Sequence, residues 1–175
     1  FYWVFHQAYC TNLQEYFQKI FSDIQVISKN TAVRQALADF SSVIDKNSQF
    51  DAVLYDFFDR IKYGQTLSQF KEEYQYDDLL LVNRTGDIVF SLNREADLGQ
   101  NLVDGNLKDS GIARCFQKAA KSVCVEDFSV YAPSSGRYIA FAGAPVIEKT
   151  GEFSGVVILK IDNAGINRIA QRRLG

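Results

Sequence analysis

Trp3, His6, Cys10, Leu13, Phe17, Ile20, Ile24 and Ile27 step by three or four residues, which places them on one face of a single long helix. Such a seam must be buried, either on the chain's own sheet or on the same helix of a second chain. Asn30-Thr31 offers a stop and a new N-cap. A second helix then carries Val33, Ala36, Leu37, Phe40 and Ile44 on one side. Ser48 with Asp51 resembles a capping pair, followed by a third apolar stripe of Phe50, Val53, Leu54, Phe57 and Ile61 that Gly64 is expected to end. Thr66 is placed to cap a short fourth helix bearing Leu67, Phe70 and Tyr74.

Near Asp77 the period changes. Asp78-Leu-Leu-Leu-Val82 is a continuous apolar run, read as a strand covered on both faces. Asn83-Arg-Thr-Gly86 is a turn, and Asp87–Leu92 alternates as the returning strand of a hairpin. A loop rich in Asn, Asp and Gly leads to a helix over about 108–121, with Ile112, Cys115, Phe116 and Ala119 inward. Three further strands are predicted over 123–131, 137–146 and 155–161, joined by turns at Pro133–Gly136 and Lys149–Gly151. Asp162 caps a closing helix with Ile166 and Ile169 inward. The class is α+β, in two stretches: helices over 1–76, then over 77–175 a five-stranded antiparallel sheet of PAS-like order with a helical insert and a C-terminal helix.

Fourteen Phe and nine Tyr supply enough apolar area for a substantial core. A net charge of -2 argues against nucleic acid, which selects for basic patches. No run approaches the roughly 18 apolar residues of a spanning helix, although Phe1–Phe5 is aromatic in the manner of a membrane interface. A chain that opens on Phe and contains no Met reads as a piece of a longer protein. Cys10, Cys115 and Cys124 form no C-x-x-C, so neither a disulfide framework nor a zinc site is expected. Buried thiols are the first reading of Cys115 and Cys124, and a bridge between them the second.

Catalytic signals are thin. Ser68-Gln-Phe-Lys71 and Lys149-Thr-Gly151 match two elements of penicillin-recognising serine enzymes, but the S-D-N element is missing and the second match reads as a hairpin turn. His6 is the only histidine and stands on the helical seam, away from any acid cluster. No phosphate loop, metal set or cofactor motif is present, so the reading is a non-enzyme without a cofactor.

A binding site is the remaining chemistry. Strict alternation in the third strand puts Asp127, Ser129 and Tyr131 on one face, and Cys124, Glu126, Phe128 and Val130 on the other. With Tyr138 and Phe141 on the fourth strand and Ser91 ending the second, these supply a few polar groups in an apolar surround, which small-molecule sites require.

Tyr76–Ser91 resembles the first hairpin of Cache sensor domains, and 96–102, 109–114, 126–134, 140–146 and 161–169 continue the likeness in order. The resemblance implies an extracytoplasmic sensor flanked by transmembrane helices outside this segment, periplasmic or extracellular on an inner-membrane receptor. It also implies a small ligand between the sheet and the loops and helix after the second strand. The output it suggests first is a methyl-accepting chemotaxis protein, with a histidine kinase or cyclase as alternatives. A homodimer through the N-terminal helix fits two-span receptors, and a dimerisation module without a ligand is the rival reading. The Tyr, Arg and Trp signature of amino-acid-binding relatives is missing, since Trp3 is the only Trp.

Overall fold

Five antiparallel strands form one sheet in the order β2-β1-β5-β4-β3, built from β1 (Asp78–Asn83), β2 (Ile88–Ser91), β3 (Cys124–Tyr131), β4 (Arg137–Ile147) and β5 (Phe153–Asp162). The structure, a computed structural model, describes residues 2–44, 50–164 and 166–167. Helices α1 (Tyr2–Lys29), α2 (Thr31–Ile44), α3 (Ala52–Asp56) and α4 (Gly64–Tyr74) precede the sheet, and α5 (Gly111–Ala119) lies between β2 and β3. The fold is therefore α+β and PAS-like, as the change of period near Asp77 indicates.

The sheet is covered on both faces, which is why β1 and β5 read as unbroken apolar runs. On one face α1 lies over β4 and β5, and α2 over β1, β2 and β5. Leu79, Leu81, Phe90, Ala142, Val157 and Leu159 meet Ile20, Ile24, Ile27, Leu37 and Phe40 there in a single core that spans the helical and sheet halves. On the other face Leu80, Ile88, Phe141, Val156 and Ile158 meet α5 through Ile112, Cys115, Phe116 and Ala119.

The α1 seam divides. Ile20, Ile24 and Ile27 are fully buried on the chain's own sheet, whereas Leu13 and Phe17 are half-buried and Cys10 is exposed. The Trp3 and His6 side chains, Ser48 and Ile169 lie outside the described residues. Asn30 accepts from the Ala32 backbone N–H at 2.8 Å, and Asp51 accepts from that of Leu54 at 2.9 Å, so both caps form.

Three local expectations change. The stripe Phe50, Val53, Leu54, Phe57 and Ile61 faces outward, and the chain buries Phe58 and Tyr63 instead. The α3 helix that carries Val53 and Leu54 buries no residue, and in the π-helix over Phe57–Tyr63 that follows, the wider turn brings Phe58 and Tyr63 rather than Phe57 and Ile61 to the buried face. Gly64 does not end the helix but opens α4, because a Cβ there would stand 2.1 Å from the Asp59 carbonyl oxygen across that turn. The α4 cap position is accordingly Tyr63, and Thr66 lies inside the helix.

Candidate functional site

Lys160 sits on the central strand β5 with a fully buried side chain, and β1 and β4 bracket it. An ammonium taken out of water is tolerated only beside carboxylates. Its Nζ lies 2.6 Å from Asp97 Oδ2, 2.8 Å from Glu95 Oε2 and 3.6 Å from Asp78 Oδ2. The ammonium also stands 5.1 Å from the centre of the Tyr131 ring. Burial pulls the Lys160 value down, but Asp97, Glu95 and Asp78 more than offset it and raise it above the ordinary lysine value. For Asp78 burial wins over Lys160, Ser91 and two backbone N–H groups, so its carboxyl is pushed up.

The loop over 92–110 brings Glu95 and Asp97 to this point. Asp78 Oδ1 accepts from the Asn93 N–H at 3.1 Å, and its Oδ2 accepts from the Ser91 hydroxyl at 2.7 Å. Ser91 Oγ in turn accepts from the Arg94 N–H at 3.0 Å. Arg94 has a left-handed backbone (φ 52°), and its guanidinium pairs with buried Asp59 in the π-helix. Further on, the loop is laced to β2 by the Gly99 N–H on the Ile88 carbonyl and the Ile88 N–H on the Gln100 carbonyl. The helical layer thus grips the loop that carries the acids.

Tyr131 is fully buried and donates its hydroxyl to Asp97 Oδ2 at 2.8 Å, with its ring edge-on to Phe141 at 5.0 Å. Burial, reinforced by Asp97, pushes its phenol far above the usual range, so it remains a donor. Glu95 accepts from the buried Ser134 hydroxyl and from Lys160, and Arg137 lies 3.5 Å from it while pairing with Asp77 at 3.1 Å. Burial raises the Glu95 carboxyl, but these donors more than offset it and hold it below the ordinary carboxylate value. Four carboxylates (Asp77, Asp78, Glu95, Asp97) therefore meet two cations, Lys160 and Arg137. One buried acceptor is left over: Asp97 Oδ1 has no hydrogen-bond partner among the described residues.

The sequence-predicted site is partly assembled. Tyr131 and Phe141 flank Lys160, and half-buried Ser129 faces Gly111 at the start of α5, where a Cβ would meet its Oγ at 2.8 Å. Ser91 is adjacent, with its hydroxyl engaged in holding the loop. Asp127 and Tyr138 are not part of it. Asp127 is exposed and accepts from the neighbouring Phe128 N–H, and Tyr138 is 60% exposed.

A bulge explains Asp127. The β3–β4 register runs Glu126↔Phe141 and then Ser129↔Ile139, so Asp127 and Phe128 together oppose one residue. The extra residue resets the alternation, so Glu126 rather than Asp127 shares a face with Ser129 and Tyr131. Glu126 there receives Arg114 at 2.7 Å and Lys118 at 2.6 Å from α5. Phe128 turns to the helical layer.

Lys160, Asp97, Glu95 and Asp78 escaped the sequence reading. A signal for Lys160 was present: a lone Lys within Val156-Val-Ile-Leu-Lys-Ile161, in a strand with no solvent face, requires buried acids. Nothing in the loop's composition distinguishes Asp97 from its exposed neighbours.

At the opposite end of the sheet a groove of about 660 Å³ runs between α2, the β1–β2 turn and the β4–β5 turn. Four of its polar side chains are occupied with one another: Asn83 accepts from Thr85 and donates to Asp87, and Asp87 also accepts from Asn101 at 2.8 Å. Ser68 lies on α4 and donates to the Gln65 carbonyl, and Lys149–Gly151 forms the β4–β5 turn. No group of His, Cys, Asp and Glu suited to a metal occurs among the described residues.

In fold, a five-stranded antiparallel sheet covered on both faces, the chain is similar to solved sensor and ligand-binding domains. The chain is similar to the sensor domain of the V. cholerae histidine kinase DctB, with TM-score 0.67 and 20% identity over 94% of this chain and 56% of that one. It is also similar to the ligand-binding domain of the Pseudomonas fluorescens chemoreceptor CtaA in complex with L-valine, with TM-score 0.54 and 13% identity over 93% of this chain and 60% of that one. A third is the E. coli DcuS sensor domain, with TM-score 0.53 and 11% identity over 90% of this chain and 94% of that one. The chain thus spans a little over half of the DctB and CtaA domains. No family model matches it, and no curated protein matches it by sequence. None of the helices among the described residues is long and apolar enough to cross a membrane.

Proposed function

We propose that this chain is the extracytoplasmic small-ligand-sensing segment of a transmembrane signalling receptor and has no catalytic activity of its own. The ligand site in this reading is the buried cluster around Lys160 and Asp97, bordered by Tyr131, Phe141, Ser129 and the 92–110 loop, with Ser91 positioning that loop. The ligand carries an ammonium or similar N–H cation. The observation behind this reading is the buried, unpartnered Asp97 Oδ1 in a cluster whose acids outnumber its cations. A carboxylate ligand entering the same space would face three carboxylates at short range. The CtaA complex, which holds L-valine, is an instance of an ammonium-bearing ligand on this fold.

The output in this reading is a methyl-accepting chemotaxis module, and the receptor is an inner-membrane homodimer whose protomers meet along the first half of α1. That half suits the role because its residues from Cys10 to Lys19 are exposed or half-buried, whereas the second half is taken up by the sheet. A histidine-kinase output is the second reading, favoured by the higher TM-score to DctB. Ligand binding stabilises the native state by mass action, so a thermal-shift screen tests the proposal. Small amino acids and amines at millimolar concentration are expected to raise Tm, and dicarboxylates of equal size to leave it unchanged. Stabilisation by dicarboxylates alone would overturn the ligand class.

A further inference from the structure

The sulfur atoms of Cys115 on α5 and Cys124 at the start of β3 lie 3.9 Å apart, unbonded, in the core between helix and sheet. Their surroundings are shaped to hold them. Cys124 pairs in register with Gly143, and a Cβ on Gly143 would stand 2.9 Å from Cys115 Sγ and 2.7 Å from the Ala119 methyl. The glycine leaves a notch that the Cys115 sulfur and the Ala119 methyl fill. Their access differs: Cys115 is fully buried, whereas Cys124 is half-buried at a strand end, where its side chain can rotate.

We infer that Cys115 and Cys124 are a dithiol–disulfide site whose oxidised form staples α5 to β3. Closing 3.9 Å to the roughly 2.05 Å of an S–S bond needs a shift within reach of a side-chain rotation at Cys124. The division of labour follows from the environment. The contact between the two sulfurs, together with burial, holds the Cys115 thiol up, while the same contact, the Gly143 N–H and the Lys118 ammonium bring the Cys124 thiol down.

The oxidant is a reactive disulfide, either a low-molecular-weight one or that of a thiol oxidoreductase. Cys124 loses its proton, and its thiolate attacks one sulfur of that disulfide. An S–S bond forms to Cys124, and the other half leaves as a thiolate that takes up the proton. Cys115 then gives up its proton and attacks Cys124 Sγ, forming the internal bond and expelling the second half as a thiol. The two cysteines lose two electrons and two protons, and the oxidant gains both. The closed loop is short, so the staple is expected to raise Tm by roughly 5–10 °C.

The test uses the Cys10→Ser chain, which retains only this pair. It is incubated with oxidised or reduced glutathione, then denatured and treated with a maleimide. After oxidised glutathione the chain is expected to take no maleimide, to weigh about 2 Da less than the reduced chain, and to melt higher. The reduced chain takes two maleimides. Adding Cys115→Ser should convert the product to a glutathione adduct on Cys124 and remove the Tm gain. Two maleimides after oxidation, a stable glutathione adduct with both cysteines present, or a covalent dimer as the product would each overturn the inference.

Discussion

Asp78 on β1 and Lys160 on β5 are directly paired across the sheet, both fully buried, with Nζ 3.6 Å from the Asp78 carboxylate. The pair sits where a sheet covered on both faces has no solvent to offer, and the acids nearest to the Lys160 ammonium come from outside the strands. The 92–110 loop brings two of them, Glu95 and Asp97.

Removing the cation should therefore cost more than its packing. Lys160→Met retains most of the volume but leaves Asp97 and Asp78 buried without their counter-charge, a loss of about 3–5 kcal/mol. Urea unfolding should show a lower midpoint with an unchanged slope. A change under 1 kcal/mol would mean that the loop and its acids move into water when the ammonium is gone.

The β3 bulge separates two neighbouring positions. Asp127→Ala is expected to lie within about 0.5 kcal/mol of the wild type, as befits an exposed side chain. Tyr131→Phe removes the hydroxyl that Asp97 accepts and should cost about 1–3 kcal/mol. Equal effects in a thermal-melt comparison would contradict the face assignment.

Acid sensitivity follows from Glu126 and Glu95. Burial raises the Glu126 carboxyl, but Lys118 and Arg114 more than offset it, so the folded value is below the ordinary 4.5. The unfolded chain then binds that proton more readily, and the stability gained from Glu126 is complete above about pH 4.5 and lost as pH falls through the lower folded value. Glu95 has the same sign. Asp78 has the opposite one, since its raised value makes its charge a cost that protonation relieves. Glu126→Gln should accordingly flatten the fall in Tm below pH 4.5, and an unchanged slope there would show that its ion pairs add nothing.

Much of the frame was legible. The α5 face of Ile112, Cys115, Phe116 and Ala119 is buried as its spacing requires, and the first hairpin and its turn follow from the alternation pattern and the turn residues. Tyr131 was found as part of a polar face on the third strand, and Phe141 as an apolar neighbour on the fourth. What was not legible depends on backbone irregularity or on long-range pairing. The bulge at Asp127–Phe128 inserts one residue without any Gly or Pro to mark it, and so reverses a face assignment built on strict alternation. The π-helix over Phe57–Tyr63 likewise shifts Phe57 and Ile61 off the buried face of a stripe whose 3.6-residue period looked ordinary. Asp97 becomes significant only through Lys160, which is 63 positions away in the chain and 2.6 Å away in space.

The central claim is that a cationic small ligand is received by Asp97. The most direct measurement is isothermal titration of the chain and of Asp97→Asn with the most stabilising amine or amino acid from the thermal-shift screen, each variant first shown by circular dichroism to be folded. The expected result is micromolar binding to the wild type and at least a tenfold weaker Kd for Asp97→Asn, since a charge-assisted hydrogen bond is replaced by a neutral one. Equal affinity in a folded Asp97→Asn chain would contradict the account.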